Sequence, residues 1–391
     1  MSSMKNKITL ISLLILLGHL SIAQDLVNDG VKLIAKKYKA VGVAYAVVKK
    51  GEIIKTGAIG YKNLETNEPL DSENLFRIAS ISKSFTATAL MQLVEKGRIS
   101  LDDDFGDLIG FPVRNPAFAD KVITLRMILS HTSSINDANG YFNLDVINPS
   151  KSLDWKKSYN NYSPGTQYQY CNLNFNMAGA VLERLTGKRF DQYIKQQILN
   201  PLNLDAGYCV DSLDTDKFAQ IYEYDSELDH FAIRSAAYNP RSEEISNYEL
   251  GYSTPVFSPT GGMKISVTDL AKYMIMHLNY GKYAGKRILQ RKSAKTMQTK
   301  VANKEGYGLA LCEVNNFIRD KKLIGHTGSA YGLYSSMFFS PEEKFGIVVI
   351  TNGAVLKYDN GQVAITKEVS NFLYNSLIEN PQELPLKKGG K

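Results

Sequence analysis

Cysteine is scarce in this chain. Cys171, Cys209 and Cys312 are its three copies in 391 residues, an odd number that excludes a disulfide framework and leaves room for one pair at most. Metal-ligand spacing is missing as well. His230 and His277 have no cysteine, aspartate or glutamate at ligand spacing, so no metal and no cofactor is expected. No stripe of basic residues interleaved with aromatics is present, which argues against nucleic acid as a partner. Internal repeats, low-complexity tracts and Pro/Gly/Ser linkers are absent, so the body reads as one domain. The apolar run at residues 8–17 is shorter than the ~20 residues a membrane span needs. No Gly-x-Ser-x-Gly stretch presents a serine on a strand-to-helix elbow, which removes one common setting of a Ser-His-Asp triad.

What is present begins with Lys5 and Lys7, then the short apolar run, then Ser21-Ile22-Ala23. That order predicts a signal peptide over residues 1–23 and a mature start at Gln24. No cysteine follows the run, so no lipid anchor is expected, and after cleavage no stable membrane attachment. The expected location is outside the cytoplasm of a bacterium, periplasmic or extracellular. Net charge falls from +7 to +5 without Lys5 and Lys7, and to about +2 once Lys387, Lys388 and Lys391 of a basic tail (379–391) are set aside. Residues 24–378 form the expected domain.

Within that domain, apolar residues at helical spacing run over 26–38. The β-rich runs 41–48 and 53–61 are separated by Lys49-Lys50-Gly51-Glu52 and predict a hairpin. Helices are expected over 80–96, 125–130, 174–185 and 267–279, and strands over 307–313, 322–326, 335–339 and 345–351. A last amphipathic helix covers 363–377. Strands at both chain ends predict a single sheet built from both termini, with flanking helices and a mainly helical inserted region.

One helix carries a charge on its apolar stripe. In FRIASISKSF (76–85), Ser80 and Lys83 are three apart and share a face with Ala87, Leu90 and Val94. A serine hydroxyl needs a base to become a nucleophile, and lysine serves only when neutral, which burial promotes. The helix start would add N–H donors suited to an oxyanion. Taken alone, the pair fits a helix cap and a lysine reaching for water better than a catalytic pair, and Ser2-Ser3-Met4-Lys5 has the same spacing.

Two further stretches change that balance. SPGTQYQYCNLNF (163–175) holds Tyr170-Cys171-Asn172, and LIGHTGSAYG (323–332) holds His326-Thr327-Gly328-Ser329. With Ser80-x-x-Lys83 they resemble the serine β-lactamase and penicillin-binding-protein superfamily. The tyrosine form of the second motif is similar to the branch of class C β-lactamases, D-alanyl-D-alanine carboxypeptidases, D-aminopeptidases and related esterases. LRMILSHTSSI (125–135), PTGGMKISVTDLAKYM (259–274) and GYGLAL (306–311) extend the resemblance over most of the chain.

The resemblance implies a β-lactamase/transpeptidase-like α/β (α+β) fold. It implies Ser80 as the acylated nucleophile, Lys83 as its proton acceptor and Tyr170 as the phenol that shuttles a proton to the leaving group. Asn172 would hold a substrate amide. His326, Thr327, Gly328 and Ser329 would bind substrate, with the N–H groups of Ser80 and Ser329 as the oxyanion hole.

There are departures. His326 stands where many relatives have lysine; a histidine is mostly neutral near pH 7, which weakens the case for a β-lactam or a free C-terminal carboxylate. Ser134 replaces a frequent glycine, Cys171 is expected as a small buried filler, and His131 as a structural anchor of a loop. Aromatic stretches at 221–224 and 248–252 are candidates for cleft lining or for packing.

The expected function is therefore an exported serine hydrolase working through a Ser80 acyl-enzyme. Its substrate is a small molecule or peptide: a D-amino-acid-containing peptide or a small acyl ester. The alternatives are a β-lactamase proper and a non-catalytic protein that keeps the fold. Oligomeric state and natural acyl donor are not encoded legibly.

Overall fold

The computed structural model describes residues 26–303 and 306–381, so the expected signal peptide and most of the basic tail lie outside the described residues. Strand β1 (Gly42–Lys49) turns through Lys50 and Gly51, both at positive φ, into β2 (Glu52–Asn63). Two left-handed residues are what a tight hairpin requires to match strand twist, and glycine supplies the second without strain.

The other edge of β1 pairs antiparallel with β7 (Phe345–Gly353) from the far end of the chain, with Ala44 opposite Ile350 and Ala46 opposite Val348. With β3 (Glu68–Pro69), β4 (Cys312–Asn315), β5 (Lys322–Ala330) and β6 (Leu333–Ser340) the sheet runs β4-β5-β6-β7-β1-β2-β3, joining both termini as the strand pattern predicts.

Both faces of this sheet are covered. Val43, Tyr45 and Val47 point into one core with helix α1 (residues 26–37) and helix α5 (Ala364–Tyr374). Ala44, Ala46 and Val48 point into the other, beneath helix α4 (Val267–Leu278) and the helical insert. Alternation with a period of two places them so. Small side chains suit the second face: a Cβ on Gly346 would lie 2.6 Å from Met274 Cε of α4.

Helix α2 (Ser82–Glu95) runs through the middle of the insert with nearly every residue buried. Its polar side chains are tied to neighbours: Thr86 Oγ1 donates to the Pro259 carbonyl, and the Met263 N–H donates to Ser82 Oγ. Helix α3 (Asn172–Thr186) packs beside it and ends at Gly187, φ 65°.

Glu183 of α3 is fully buried and accepts from the Phe190 and Gly251 N–H groups, Tyr248 Oη and Thr254 Oγ1, at 2.5–2.7 Å. Four donors converge on one carboxylate. Glu183→Gln would turn an NH2 toward some of them, and we expect a loss of about 3 kcal/mol of stability, read from a urea midpoint.

Some elements differ from expectation. The run 307–313 is not one strand: Tyr307 makes only isolated bridges to Ala302 and Cys312. Ala310 sits at φ 59°, and the Gly308 N–H closes a turn onto the Leu311 carbonyl. The last helix ends α-helical geometry at Tyr374 and continues as a π-helical turn, Asn375–Glu379. Helix α3 starts two residues earlier than its periodicity suggests, which matters below.

Candidate active site

Ser80 lies in a single 3₁₀ turn, Ala79–Ile81, that leads directly into α2. It is not a capping residue, since no side-chain cap bond is made there. Ala79 just before it is at φ 46°, a left-handed backbone that a non-glycine residue holds only under tertiary constraint. Lys83, one turn on, is completely buried. Its Nζ donates to Ser80 Oγ (3.2 Å), Asn172 Oδ1 (2.9 Å) and the Thr260 carbonyl (2.9 Å). The lysine does not reach for water.

Asn172 is the first residue of α3, and Asp137 holds it there. The Asp137 carboxylate accepts from the backbone N–H of Asn172 and Leu173, from Asn172 Nδ2, each at 2.9 Å, and from Cys171 Sγ at 3.2 Å. An acid from a distant loop thus caps the helix that Cys171, lacking a capping bond, does not. Because Nδ2 is committed to Asp137, Oδ1 must face Lys83 and Thr260 Oγ1. Cys171 is buried as expected, but it is a donor and not only a filler. All three cysteines are unpaired.

His131 holds the segment just before Asn172. Its Nδ1 accepts from the Cys171 N–H at 3.2 Å, its carbonyl accepts from the Gln169 N–H, and its ring lies 4.4 Å from that of Tyr170. Ser134 is at φ 63°, which is why glycine suits that position.

The third wall is β5. Strand β4 pairs only with residues 322–325, so one edge of β5 has no strand partner from His326 to Ala330 and borders the cavity. Gly328 abuts the turn that carries Ser80. A Cβ there would sit 2.3 Å from the Ile78 carbonyl and 3.2 Å from Ala79 Cβ, so glycine lets β5 close on the turn that carries Ser80. The resulting cavity of about 450 Å³ is lined by Ser80, Tyr170, Asn172, His326, Thr327 and Ser329 among others. Lys83 and Gly328 stand behind that lining.

Electrostatics sort the groups. Burial lowers the Lys83 ammonium to about 7, partly opposed by the charge of Asp137. Burial pushes the Tyr170 phenol well up; its enclosed hydroxyl makes no well-formed hydrogen bond, although nearby Ser80 opposes part of the shift. Lys83 Nζ lies 4.7 Å from the Tyr170 ring centre. His326 is lowered to about 4 by burial and by the charge of Lys83. Its Nδ1 is 2.5 Å from the Thr327 carbonyl and must donate to it, so Nε2 accepts from Tyr307 Oη at 2.9 Å. Position 326 is a neutral, hydrogen-bonded ring with no charge to offer.

Sequence reading missed Asp137, Thr260 and Tyr307, although all three lie in or beside stretches singled out for other reasons. Of the two roles open to the aromatic stretches, Tyr222 and Tyr248 serve packing, bonding Glu65 and Glu183, while Tyr141, Phe142 and Tyr331 line the cavity. Among the described residues no group of three His, Cys, Asp or Glu side chains is placed to hold a metal.

Fold and constellation together have the β-lactamase/transpeptidase architecture, with Ser80 and the buried Lys83 at its centre. The beta-lactamase family profile matches residues 23–367, and the chain belongs to that family. A curated relative, protein flp of Staphylococcus aureus (strain MW2), is 24% identical over 327 residues, which are 80% of this chain and 59% of that protein. The chain therefore spans less than two thirds of the length of such relatives. The structure is similar to the octameric penicillin-binding protein homologue from Pyrococcus abyssi, with TM-score 0.70 and 25% identity over 90% of this chain and 77% of that one. It is also similar to the D-amino acid amidase from Ochrobactrum anthropi SV3, with TM-score 0.68 and 21% identity over 91% and 99% of the two chains.

Proposed function

We propose that the protein is exported and hydrolyses an amide or ester through an acyl-enzyme on Ser80, with a D-amino-acid-containing peptide or a small acyl ester as substrate. The observation that carries this reading is a buried lysine, near neutrality at physiological pH, donating to the serine three residues before it. Neutral Lys83 takes the Ser80 proton as Oγ attacks the carbonyl carbon. The N–H groups of Ser80 and Ser329 receive the oxyanion. Tyr170, protonated because it is buried, gives its proton to the leaving nitrogen or oxygen and recovers one from Lys83. Water then attacks the acyl-enzyme with the same two groups accepting its proton, and Ser80 Oγ leaves with a proton.

The neutral, Tyr307-bonded His326 supports esters and amides over a β-lactam whose carboxylate needs a cation at that position. A D-amino acid amidase of the same fold supports the D-residue branch. Intact mass and turnover with a penicillin, a fluorophosphonate and small D-alanyl and acyl esters test the proposal, with Ser80→Ala as control. Expected are a fluorophosphonate adduct on Ser80 and turnover of an ester or D-alanyl substrate. No adduct and no turnover would remove the hydrolase mechanism, and efficient penicillin turnover would favour a β-lactamase. Export predicts a secreted species whose first residue is Gln24.

A further inference from the structure

Arg77 lies three residues before Ser80, on a two-residue strand paired with Lys264–Ile265. Its Nε donates to the Gly261 carbonyl at 2.8 Å, and its guanidinium carbon is 5.4 Å from the Tyr331 ring centre. Neither interaction supplies a negative charge, and among the described residues no carboxylate forms an ion pair with it. The groups facing it include Tyr141, Tyr238, Tyr331, Arg241 and Lys264, all neutral or basic, and the two carboxylates that share a cavity with it, Glu223 and Glu244, are each paired with another arginine. Nearby arginines are matched: Arg234 pairs with Glu223 at 2.7 Å and Arg241 with Glu244 at 2.8 Å. The guanidinium is half-buried and cannot shed its proton, and leaving it unpaired there is unfavourable unless an anion arrives.

Arg77 also lines two cavities. One holds Ser80; the other, of about 520 Å³, is lined by Phe142, Ala237, Pro255, Val256 and Tyr331 together with the Arg234–Glu223 and Arg241–Glu244 pairs. Among the described residues, Arg77 is the one charged side chain lining the first. Its place along the cleft distinguishes the two halves of a substrate. Tyr170 and His326 mark the end where the leaving group must lie to receive a proton. Four residues of strand β5, about 13 Å at ~3.3 Å per residue, separate His326 from Ala330, next to the Tyr331 that stacks on Arg77. The cation is therefore at the acyl end.

Resting on the acyl-enzyme reading above, we infer that the acyl group transferred to Ser80 carries a carboxylate, bound by Arg77 where the active-site cavity meets the second one. The guanidinium keeps donors in a planar fork suited to a carboxylate, and Tyr331 holds its face. The missing cation at position 326 is not replaced in kind: the charge stands at the other end of the cleft and reads the other half of the substrate.

The test compares the mono-p-nitrophenyl ester of adipic acid with that of adipamic acid, the same acyl chain ending in a neutral amide, each corrected for spontaneous hydrolysis. Expected for the wild type is a kcat/KM for the adipate at least about tenfold above the adipamate at low salt, shrinking in 0.5 M NaCl. Arg77→Gln should bring the ratio to one or below, and Arg77→Lys should keep part of it. A wild-type ratio at or below one with the adipamate turned over overturns the inference and leaves the hydrolase mechanism standing. A preference that survives in Arg77→Gln overturns it too. If neither ester is turned over nor acylates Ser80, the hydrolase mechanism fails and the inference falls with it. The wild-type ratio and its salt dependence decide the matter even if Arg77→Gln does not fold.

Discussion

Lys83→Met is expected to lower kcat/KM by at least about a thousandfold while raising the melting temperature at pH 7. Methionine fills the volume but accepts no proton from Ser80. The stability gain follows from linkage. A lysine whose pKa falls from 10.5 unfolded to about 7 folded binds its proton more readily when unfolded. Between those values the unfolded state holds more protons, so folding stability rises with pH through the window, and below about 7 the full penalty applies. At roughly 1.4 kcal/mol per unit that penalty is of order 5 kcal/mol, which methionine removes. Orphaning the Thr260 carbonyl and weakening the Asn172 contact offset about half of it, leaving a rise of a few degrees.

The same group sets the pH profile of the wild type. Activity should fall below about pH 7 as Lys83 gains its proton. Lys264 is also lowered to about 7 and donates to the Tyr208 carbonyl, away from Ser80. Stability therefore titrates with two lysines and activity with one, so Lys264→Met should leave the acid limb of the rate in place. A flat rate from pH 5 to 9, or a Lys83→Met protein that is active, would contradict the scheme.

Asp137→Asn is expected to cut kcat/KM by about ten- to a hundredfold and to move the acid limb to lower pH. The Asp137 carboxylate holds Lys83 up, so removing its charge lets burial lower the amine further. The loss of rate has a different source. An asparagine presents one acceptor and an NH2 where two backbone N–H groups, Asn172 Nδ2 and Cys171 Sγ now donate, so α3 loses its cap and Asn172 its fixed orientation. About 2 kcal/mol of stability should go with it. A merely structural cap would lower activity and stability without moving the limb; an unmoved or raised limb would show that Asp137 does not act on Lys83.

Much of the frame was legible before any coordinates. Continuous apolar runs in 42–48 and 345–351 specify strands with two buried faces, and Lys50-Gly51 specifies the turn between the first two. The pairing of Ser80 with Lys83 was legible because three residues make nearly one helical turn. Its meaning was not, since the same spacing serves a cap. The stripe through Ala87 and Leu90 was also a poor guide to why Lys83 is buried: α2 is buried all round, and what encloses the amine is Asn172 and Thr260, 89 and 177 residues away.

The strand expected at 307–313 failed for a related reason. Residue type there favours strand, but the left-handed Ala310 and the turn at Gly308 are imposed by packing on Met297 and Leu129. Residue type alone makes His326 a weak charge near pH 7, yet its commitment to Tyr307 and its descent to about 4 depend on burial that a linear sequence does not state.

By itself the sequence determined the elements, the joining of both chain ends in one sheet and the three short motifs, because each rests on periodicity or on residues adjacent in the chain. Only the tertiary structure decided that Lys83 is near neutral, that Asp137 orients Asn172 and that Arg77 has no acidic partner among the described residues. Those properties are set by solvent exclusion and by contacts between segments far apart in the chain, and neither has a local signature.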